Sequence, residues 1–191
     1  STFYNCTSLT EISLPSTITS IGESAFYSCI QLISIALPTS TLSLEKYSFA
    51  QCSALSGIQL SDSLETIDEL VFANCKSLTT FNISVNVSSI EGNAFVNCSN
   101  LDSFVVDSNN KHYSVSNGVL FNENASELIK YPSHINNETY AIPESVTFLG
   151  SYSFSDSKNL KEISIPPTVS IGNYTFQFSG IESIELSGQL N

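Results

Sequence analysis

The sequence contains neither methionine nor tryptophan, and it carries little charge. Lys and Arg together number 6 against 18 Asp and Glu, and charged residues make up 13% of the 191 residues, roughly half the usual share of a globular protein. The formal net charge of −12 repels phosphate backbones and anionic lipid surfaces. No apolar run is long enough to span a bilayer. We therefore expect no nucleic-acid partner and no direct membrane insertion of this chain.

The sequence also shows no signature of enzyme chemistry. It contains no P-loop, no Rossmann glycine motif, no zinc-binding His-Glu-x-x-His and no Gly-x-Ser-x-Gly nucleophile motif. Nothing in the sequence orients the only two histidines, His112 and His134, as an acid and base pair. The stretch that begins at Asp107 lacks the acidic spacing of a calcium loop. We expect no catalytic residue, metal or cofactor, and an enzyme built on the two histidines is the least favoured alternative.

The dominant feature of the sequence is a repeat every 23 residues, with the skeleton Phe-x-x-Cys-x-x-Leu-x-x-Ile-x-Leu. Its first five copies begin at Phe3, Phe26, Phe49, Phe72 and Phe95. Their cysteines are Cys6, Cys29, Cys52, Cys75 and Cys98. Two further copies begin at Phe154 and Phe176, with Ser157 and Ser179 in place of the cysteine. A period of this length is typical of stacked coils, which together bury an apolar face that one coil cannot bury alone.

Each unit predicts one coil. Leu-x-x-Ile-x-Leu is a buried turn followed by a short strand, because residues two apart in a strand share a face. The second half, as in "PSTITSIGESAF", returns the chain and adds Ile18, Ile21 and Phe26 to the core, with Pro and Gly at the turn. So short a unit leaves little room for a helix. We expect extended and short 3₁₀ segments on the return path.

The segment "CTSLTEISLPSTITSIGESAF" resembles the 23-residue treponemal-type repeat of the BspA-like leucine-rich repeat proteins. Their motif runs C-x-x-L-x-x-I-x-L-P-x-x-[IVL]-x-x-I-G-x-x-A-F, and the resemblance covers essentially the whole chain. Departures are few: Ser61 and Ser84 replace the proline, and Asp68 replaces the glycine. The chain begins at Ser1 within a repeat and has no methionine, so we expect a fragment of a longer protein.

The resemblance and the repeat together predict a β-rich leucine-rich-repeat solenoid of the α/β class. We expect one domain over residues 1–191, a curved right-handed stack of about eight coils, with parallel strands on the concave face. The family is associated with cell-surface or secreted proteins of bacteria and of mucosal protists such as trichomonads. It implies adhesion to host cells, matrix proteins or other microbes, through protein or glycan ligands. The alternative is a structural spacer that presents a distal module, and weak self-association is a further expectation.

Residues 107–138 interrupt the repeat. Asn117-Gly118 lies between two β-prone runs in "SVSNGVLF", which predicts a β-hairpin insertion. The insertion is either a bulge that keeps the coils in register or an exposed recognition loop. If it is a recognition loop, the candidate contact residues are Lys111, His112, Tyr113 and Asn117.

The five cysteines occupy one repeat position, so their side chains should stack. Parallel side chains about 4.8 Å apart fit neither a disulfide nor a tetrahedral zinc site. Serine at the same position in later copies indicates that size matters more than sulfur chemistry. We expect five free, buried thiols.

The positions that flank the central isoleucine of each strand should point out of the concave face and offer a polar binding surface. The candidates are Glu11, Ser13, Ser34, Gln59, Thr80, Asn82, Ser103, Glu162, Ser164, Ser183 and Glu185. No Tyr, Trp or Arg, the usual hot-spot residues, occurs among them, so weak multivalent contact is expected. Among seven Asn-x-Ser/Thr sequons, Asn124 and Asn137 in the insertion are the preferred glycan acceptors if the protein is exported from a eukaryotic cell.

Overall fold

The computed structural model describes residues 1–186, and this part of the chain consists of short strands and turns without a helix. The chain winds into a stack of about seven turns, which confirms the β-rich solenoid that the repeat predicts. About eight coils were expected. The coil that begins at Phe176 has a front strand but no return strand among the described residues, so fewer turns are complete.

Most coils contribute a front strand, after the repeat leucine, and a shorter return strand. In the first coil residues 11–14 form no strand, although the repeat predicts one there. The front strands are β2 (Ser34–Ala36), β4 (Gly57–Gln59), β6 (Thr80–Ile83), β8 (Ser103–Val106), β12 (Thr139–Ala141), β14 (Glu162–Ile165) and β16 (Ser183–Leu186). The return strands are β1 (Ser20–Ile21), β3 (Ser43–Leu44), β5 (Thr66–Ile67), β7 (Ser89–Ile90), β13 (Phe148–Leu149) and β15 (Ser170–Ile171). The insertion adds β9 (Tyr113–Ser116), β10 (Val119–Asn122) and β11 (Glu127–Lys130).

The parallel ladders keep the 23-residue register of the sequence. On the return side β1, β3, β5 and β7 pair in that order, with Ile21 opposite Leu44 and Leu44 opposite Ile67. On the front side β2 pairs with β4, β6 pairs with β8, and β14 lies between β12 and β16 and pairs with both. The front residues that share a face therefore form rows across the coils, which is what positions the candidate binding surface.

Tight turns connect the strands, and each is closed by hydrogen bonds between residues three apart. The amide of Cys29 donates to the Phe26 carbonyl, and the amide of Leu32 to the Cys29 carbonyl, both at 3.1 Å. The extended segments on the return path were expected, whereas the 3₁₀ segments are not found in residues 1–186. The reason is a left-handed residue two places after each phenylalanine, such as Asn74 with φ of 64°, which interrupts the run of turns. Asparagine tolerates that conformation better than most residues.

The core is built from rows of identical side chains. The rings of Phe26 and Phe49 stack with their centroids 5.2 Å apart, and those of Phe49 and Phe72 follow at 5.8 Å. Each thiol after the first coil donates to a phenylalanine carbonyl of an earlier coil, as Cys52 does to Phe26 at 3.1 Å. All five cysteines are free. Four are buried as predicted, and Cys6 in the first coil is half-buried.

The insertion forms the predicted hairpin, with Val119 paired antiparallel with Ser116 and β10 also paired antiparallel with β11. Its strand β10 lies inside the stack, whereas the ends of the hairpin remain exposed. Alternate residues of β10 point to opposite sides: Leu120 packs into the core of the first coils, while Val119 and Phe121 pack into the core of the later ones. The insertion is therefore a wall between two hydrophobic cores. Neither parallel ladder continues across it in the described part of the chain.

Candidate functional site

The front face presents the side chains that the repeat predicted to point outward. Glu11, Ser13, Ser34, Gln59, Thr80, Asn82, Glu162, Ser183 and Glu185 are exposed, and Ser103 and Ser164 are half-buried. Their neighbours in the strands, such as Ile35 and Phe81, are buried. The alternation arises because successive strand residues point to opposite sides of the sheet, so these outward positions are free of packing duty.

Two shallow depressions lie on the front face. One of about 410 Å³ spans β4, β6 and β8, and its lining includes Gln59, Asn82 and the exposed Val105, with Asp62 and Asp107 at the turns that follow. The other, of about 180 Å³, spans β12, β14 and β16. Its lining residues include Thr139, Tyr140, Glu162, Ser164, Ser183 and Glu185. The structure thus divides the candidate residues into two groups on either side of the insertion.

A third depression, here called the insertion cleft, opens on the return side where the ladder is interrupted between β7 and β13. Its volume is about 420 Å³. Its walls are Ser88–Gly92 on one side, Phe148, Gly150 and Ser151 on the other, and His112, Tyr113, Asn122, Glu127 and Ile129 from the insertion. The cleft exists because Tyr113, one repeat after Ile90, turns into the hairpin instead of pairing with β7.

The four insertion candidates are placed differently by this geometry. His112 is exposed and lines the cleft, whereas Tyr113 lines it but is buried, with 9% of its surface exposed. Lys111 is exposed outside the cleft lining. Asn117 is exposed at the hairpin turn beside β8, since the amide of Phe104 donates to the carbonyl of Gly118, the next residue, at 3.0 Å. The structure therefore does not bring the four together as one loop.

The insertion cleft is acidic. Glu91 and Glu127 line it, and neither Lys nor Arg is among its lining residues. Burial raises the pKa of the Glu127 carboxyl above its ordinary value, because removing water disfavours the charged form. An exposed part of the Phe148 ring completes the cleft. This arrangement suits a ligand that donates hydrogen bonds and carries an apolar or cationic face.

The two preferred sequons are accessible. Asn124 and Asn137 are both exposed. Asn97, in a third sequon, is half-buried and its side-chain amide donates to Asn74 Oδ1 at 2.5 Å. The left-handed turn of the repeat therefore uses Asn97 in a structural role.

Sequence reasoning missed two features. A row of tyrosines follows the turns of the first coils, with Tyr4 and Tyr27 stacked at 5.1 Å and Tyr27 against Tyr47 at 6.3 Å. Tyr4 and Tyr27 each directly follow a repeat phenylalanine, and this placement could have predicted the row. The second feature is the buried Lys130, with 2% of its surface exposed, for which no motif existed.

No group of three or more His, Cys, Asp or Glu side chains in residues 1–186 could hold a metal ion. His134 pairs instead with Asp102, at 2.7 Å between Nδ1 and Oδ1. Within the same residues, no helix has the length and apolar character needed to cross a membrane.

The whole chain is similar to a described repeat family. The model of the BspA type leucine rich repeat region matches it in six copies, over residues 1–127 and 129–191. No curated protein matches it.

Solved structures of bacterial proteins have similar folds. The pneumococcal vaccine antigen PcpA is 30% identical, with a TM-score of 0.75 over 82% of this chain and 40% of its own. A leucine rich cell surface protein from Faecalibacterium prausnitzii A2-165 is 28% identical, with a TM-score of 0.83 over 97% of this chain and 49% of its own. A leucine-rich repeat protein from Eubacterium ventriosum ATCC 27560, at 24% identity and a TM-score of 0.70 over 90% and 58%, supports the fold alone. The chain spans less than two thirds of each of these structures.

Proposed function

The chain belongs to the BspA-type leucine-rich repeat family, and from this premise we propose that it is part of a cell-surface or secreted ectodomain that mediates adhesion. Its ligands would be proteins or glycans on host cells, in extracellular matrix or on other microbes. The role is binding and not catalysis. Similarity to a vaccine antigen and to a cell surface protein supports the location.

One observation carries this proposal: the front face repeats exposed polar side chains at fixed intervals across the coils, while in most front strands the alternate residues pack into the core. Side chains that do not pack in the core can contact a ligand without any cost to the stability of the fold. Because Glu, Ser, Thr, Asn and Gln dominate it and no Arg or Trp is present in the chain's front strands, each contact would be weak. Adhesion would then depend on many contacts made together.

The acidic balance of the surface points to the chemistry of the partner. The net charge is −12, and the insertion cleft is lined by two glutamates and by neither Lys nor Arg. A partner surface rich in hydrogen-bond donors or basic side chains complements it. Association should therefore weaken as salt is added.

The test is binding of the folded protein to epithelial cells and to immobilised matrix proteins. Deletion of residues 108–138 is unsuitable, because it would remove the wall between the two cores. Point variants are needed instead: Gln59→Ala with Asn82→Ala on the front face, and Glu127→Gln with His112→Ala in the cleft. A control pair, Gln31→Ala with Glu144→Ala, changes exposed residues outside both surfaces.

We expect saturable, salt-sensitive binding that falls at least threefold in the front-face pair and stays unchanged in the control pair. A loss confined to the cleft pair would move the ligand site to the insertion cleft. Absence of binding to cells, matrix and a second microbe alike would reject adhesion by this region and support the spacer alternative.

A further inference from the structure

One turn of the solenoid is too short. In most coils the next repeat phenylalanine comes five positions after the return-strand core residue, as Phe154 does after Leu149. In the coil that follows the insertion the equivalent step, from Leu128 to Tyr131, takes only three. Tyr131 holds the phenylalanine position there, since its ring stacks on Phe154 at 5.1 Å. Residues 128–133, here called the short turn, therefore lack two residues of the usual turn.

The short turn breaks a regular row of main-chain hydrogen bonds. Elsewhere the amide two residues after the repeat phenylalanine donates to a carbonyl in the next coil, as Ser28 does to Ala50 at 2.8 Å and Asn74 to Val96 at 2.9 Å. At the short turn this bond should run from Asn97 to Pro132 and from Ser133 to Ser155. Neither is formed.

Two buried charged side chains take the places of those missing partners. The amide of Asn97 donates to the carboxylate of Asp156 at 2.7 Å, a contact that skips the coil between them. The Lys130 ammonium donates to the carbonyl of Ser155 at 3.1 Å and to that of Tyr152 at 3.0 Å. It also donates to the Ser155 hydroxyl at 2.8 Å. Every substituted bond is charge-assisted, which is stronger than the amide bond it replaces.

The neighbouring turns close over the gap. A Cβ on Gly92 would lie 2.5 Å from the Ser151 carbonyl oxygen, so the turns before Phe95 and before Phe154 touch directly. The gap lies at the boundary between the two hydrophobic cores, where neither parallel ladder continues. Asp156 and Lys130, with 7% and 2% of their surfaces exposed, therefore form a polar link in two steps. Asp156 joins the second half of the stack to Asn97 in the first half, and Lys130 joins the insertion to the second half.

We propose that Lys130 and Asp156 form a latch that couples two separately packed half-solenoids, residues 1–106 and 139–186, into one cooperative unit. The ordinary coils need no such device, because main-chain ladders couple them. The insertion supplies the apolar wall, and the two charges supply the hydrogen bonds that the wall and the short turn omit. Removing one charge leaves the other buried without compensation, whereas removing both does not.

The experiment is hydrogen exchange by mass spectrometry on the whole chain, comparing wild type with Lys130→Met, Asp156→Asn and the double variant. Lys161→Met is the control, because Lys161 forms an exposed ion pair with Glu182 within the second half. In Lys130→Met we expect exchange of the buried amides in residues 154–186 to quicken at least tenfold, with residues 26–90 unchanged. The control should stay within twofold of wild type.

The double variant distinguishes a charge latch from lost packing. It should recover part of the protection lost in Lys130→Met, since it leaves no unpaired charge. Equal acceleration in both halves, or additive loss in the double variant, would overturn the proposal.

A second measurement covers the case in which Lys130→Met fails to fold. Asp156→Asn keeps the shape and the acceptor oxygen and is the milder change. In that variant the thiol of Cys98, which lies in the electrostatic range of both charges, should react with a thiol reagent at least threefold faster than in wild type. The Cys52 thiol, outside the junction, should react at the wild-type rate, and equal reactivity of Cys98 in both proteins would contradict the latch.

Discussion

At the residue scale, the stacked phenylalanines make a direct prediction about stability. Phe72 is fully buried between the rings of Phe49 and Phe95, at 5.8 and 5.5 Å. Phe72→Ala should lower the free energy of unfolding by about 3–5 kcal/mol, because the large cavity cannot close between fixed coils. The half-buried Phe3 has a neighbouring ring on one side only, so Phe3→Ala should cost less than half as much. Urea unfolding followed by circular dichroism measures both, and equal costs would refute the stacked core.

The buried thiols make stability depend on pH. Burial raises the pKa of Cys52 and of Cys98 to about 12, so the native state keeps protons that the unfolded chain releases near 9.0. The unfolded state then binds fewer protons, and stability falls as pH rises from about 9 towards 12. Burial lowers the pKa of Lys130 to about 8, which acts in the opposite direction between pH 8 and the ordinary lysine value. Because these two thiols oppose a single lysine, we expect a net loss of stability as the pH rises above 9.

The expected slope is about 1 kcal/mol per pH unit for each buried thiol. Urea unfolding at pH 8.5 and at 10.5 measures it. The variant with Cys52→Ala and Cys98→Ala should show a clearly shallower loss of stability than wild type. A steeper or unchanged slope in that variant would show that other groups control the alkaline limit.

Exposure decides which sequons can be modified. Expressed through a eukaryotic secretory pathway, the protein should carry glycans at Asn124 and Asn137, whose side chains are exposed. Asn97 should stay bare once folded, because its amide bonds to Asn74. Glycopeptide mass spectrometry gives the occupancy, and Asn137→Gln should remove one glycan without loss of fold. Full occupancy at Asn97 would contradict the role assigned to its side chain.

At the element scale, the hairpin turn of the insertion has no room for a side chain at Gly118. Its φ is +80°, and a Cβ there would lie 3.1 Å from the Ser103 Cβ and 3.2 Å from the Asp102 carbonyl oxygen. Gly118→Ala should therefore cost about 1–3 kcal/mol of stability. Asn117→Gly changes the exposed neighbour, also left-handed at φ of 49°, and should be nearly neutral. Thermal unfolding compares the two, and an equal effect of both would remove the packing argument.

Most elements of the fold could be predicted from the sequence because each coil repeats the same physical requirement. The spacing of Leu, Ile and Leu fixed the front strands and their outward residues, and Asn117-Gly118 fixed the hairpin. The position of the hairpin inside the stack could not be predicted. Val119, Leu120 and Phe121 form a continuous apolar run in the sequence. Both faces of β10 are apolar because Leu120 packs into the core of the first coils, while Val119 and Phe121 pack into the core of the later coils.

The short turn escaped prediction for a related reason. Tyr131 stands 23 residues before Phe154. Because two residues of the usual turn are missing before Tyr131, the repeat pattern cannot be recognised there from the sequence. The role of Lys130 depends on carbonyls that the turn leaves without amide donors, which is a three-dimensional property. The same holds for the insertion cleft, whose glutamates lie 36 residues apart in sequence and meet only because the return ladder stops at β7.

At the scale of the whole molecule, about half of the candidate binding residues line two front depressions and one cleft on the return side. The front positions were predictable because they follow from strand alternation. Their division was not, since it results from the wall that the insertion builds. Two half-solenoids joined by a wall present two polar faces at a fixed relative position, which favours a partner with repeated epitopes over one with a single anchor.

The modular repeat predicts that one ordinary coil can be removed without loss of the fold. Deletion of residues 49–71 joins Ser48 to Phe72, which keeps the register because both sides of the junction occupy equivalent repeat positions. Away from the insertion each coil depends on its nearest neighbours, so the shortened protein should still unfold cooperatively, at a lower temperature.

A matched deletion of equal length should fail. Removal of residues 108–130 takes away the wall and Lys130, which leaves the apolar sides of two cores without their partner. We expect that variant to lose cooperative unfolding and to bind a hydrophobic dye in the absence of denaturant, because its apolar surfaces are exposed. Calorimetry and dye fluorescence on both deletions give the answer. If both variants behaved alike, the insertion would be one more coil of the stack and not the element that joins its halves.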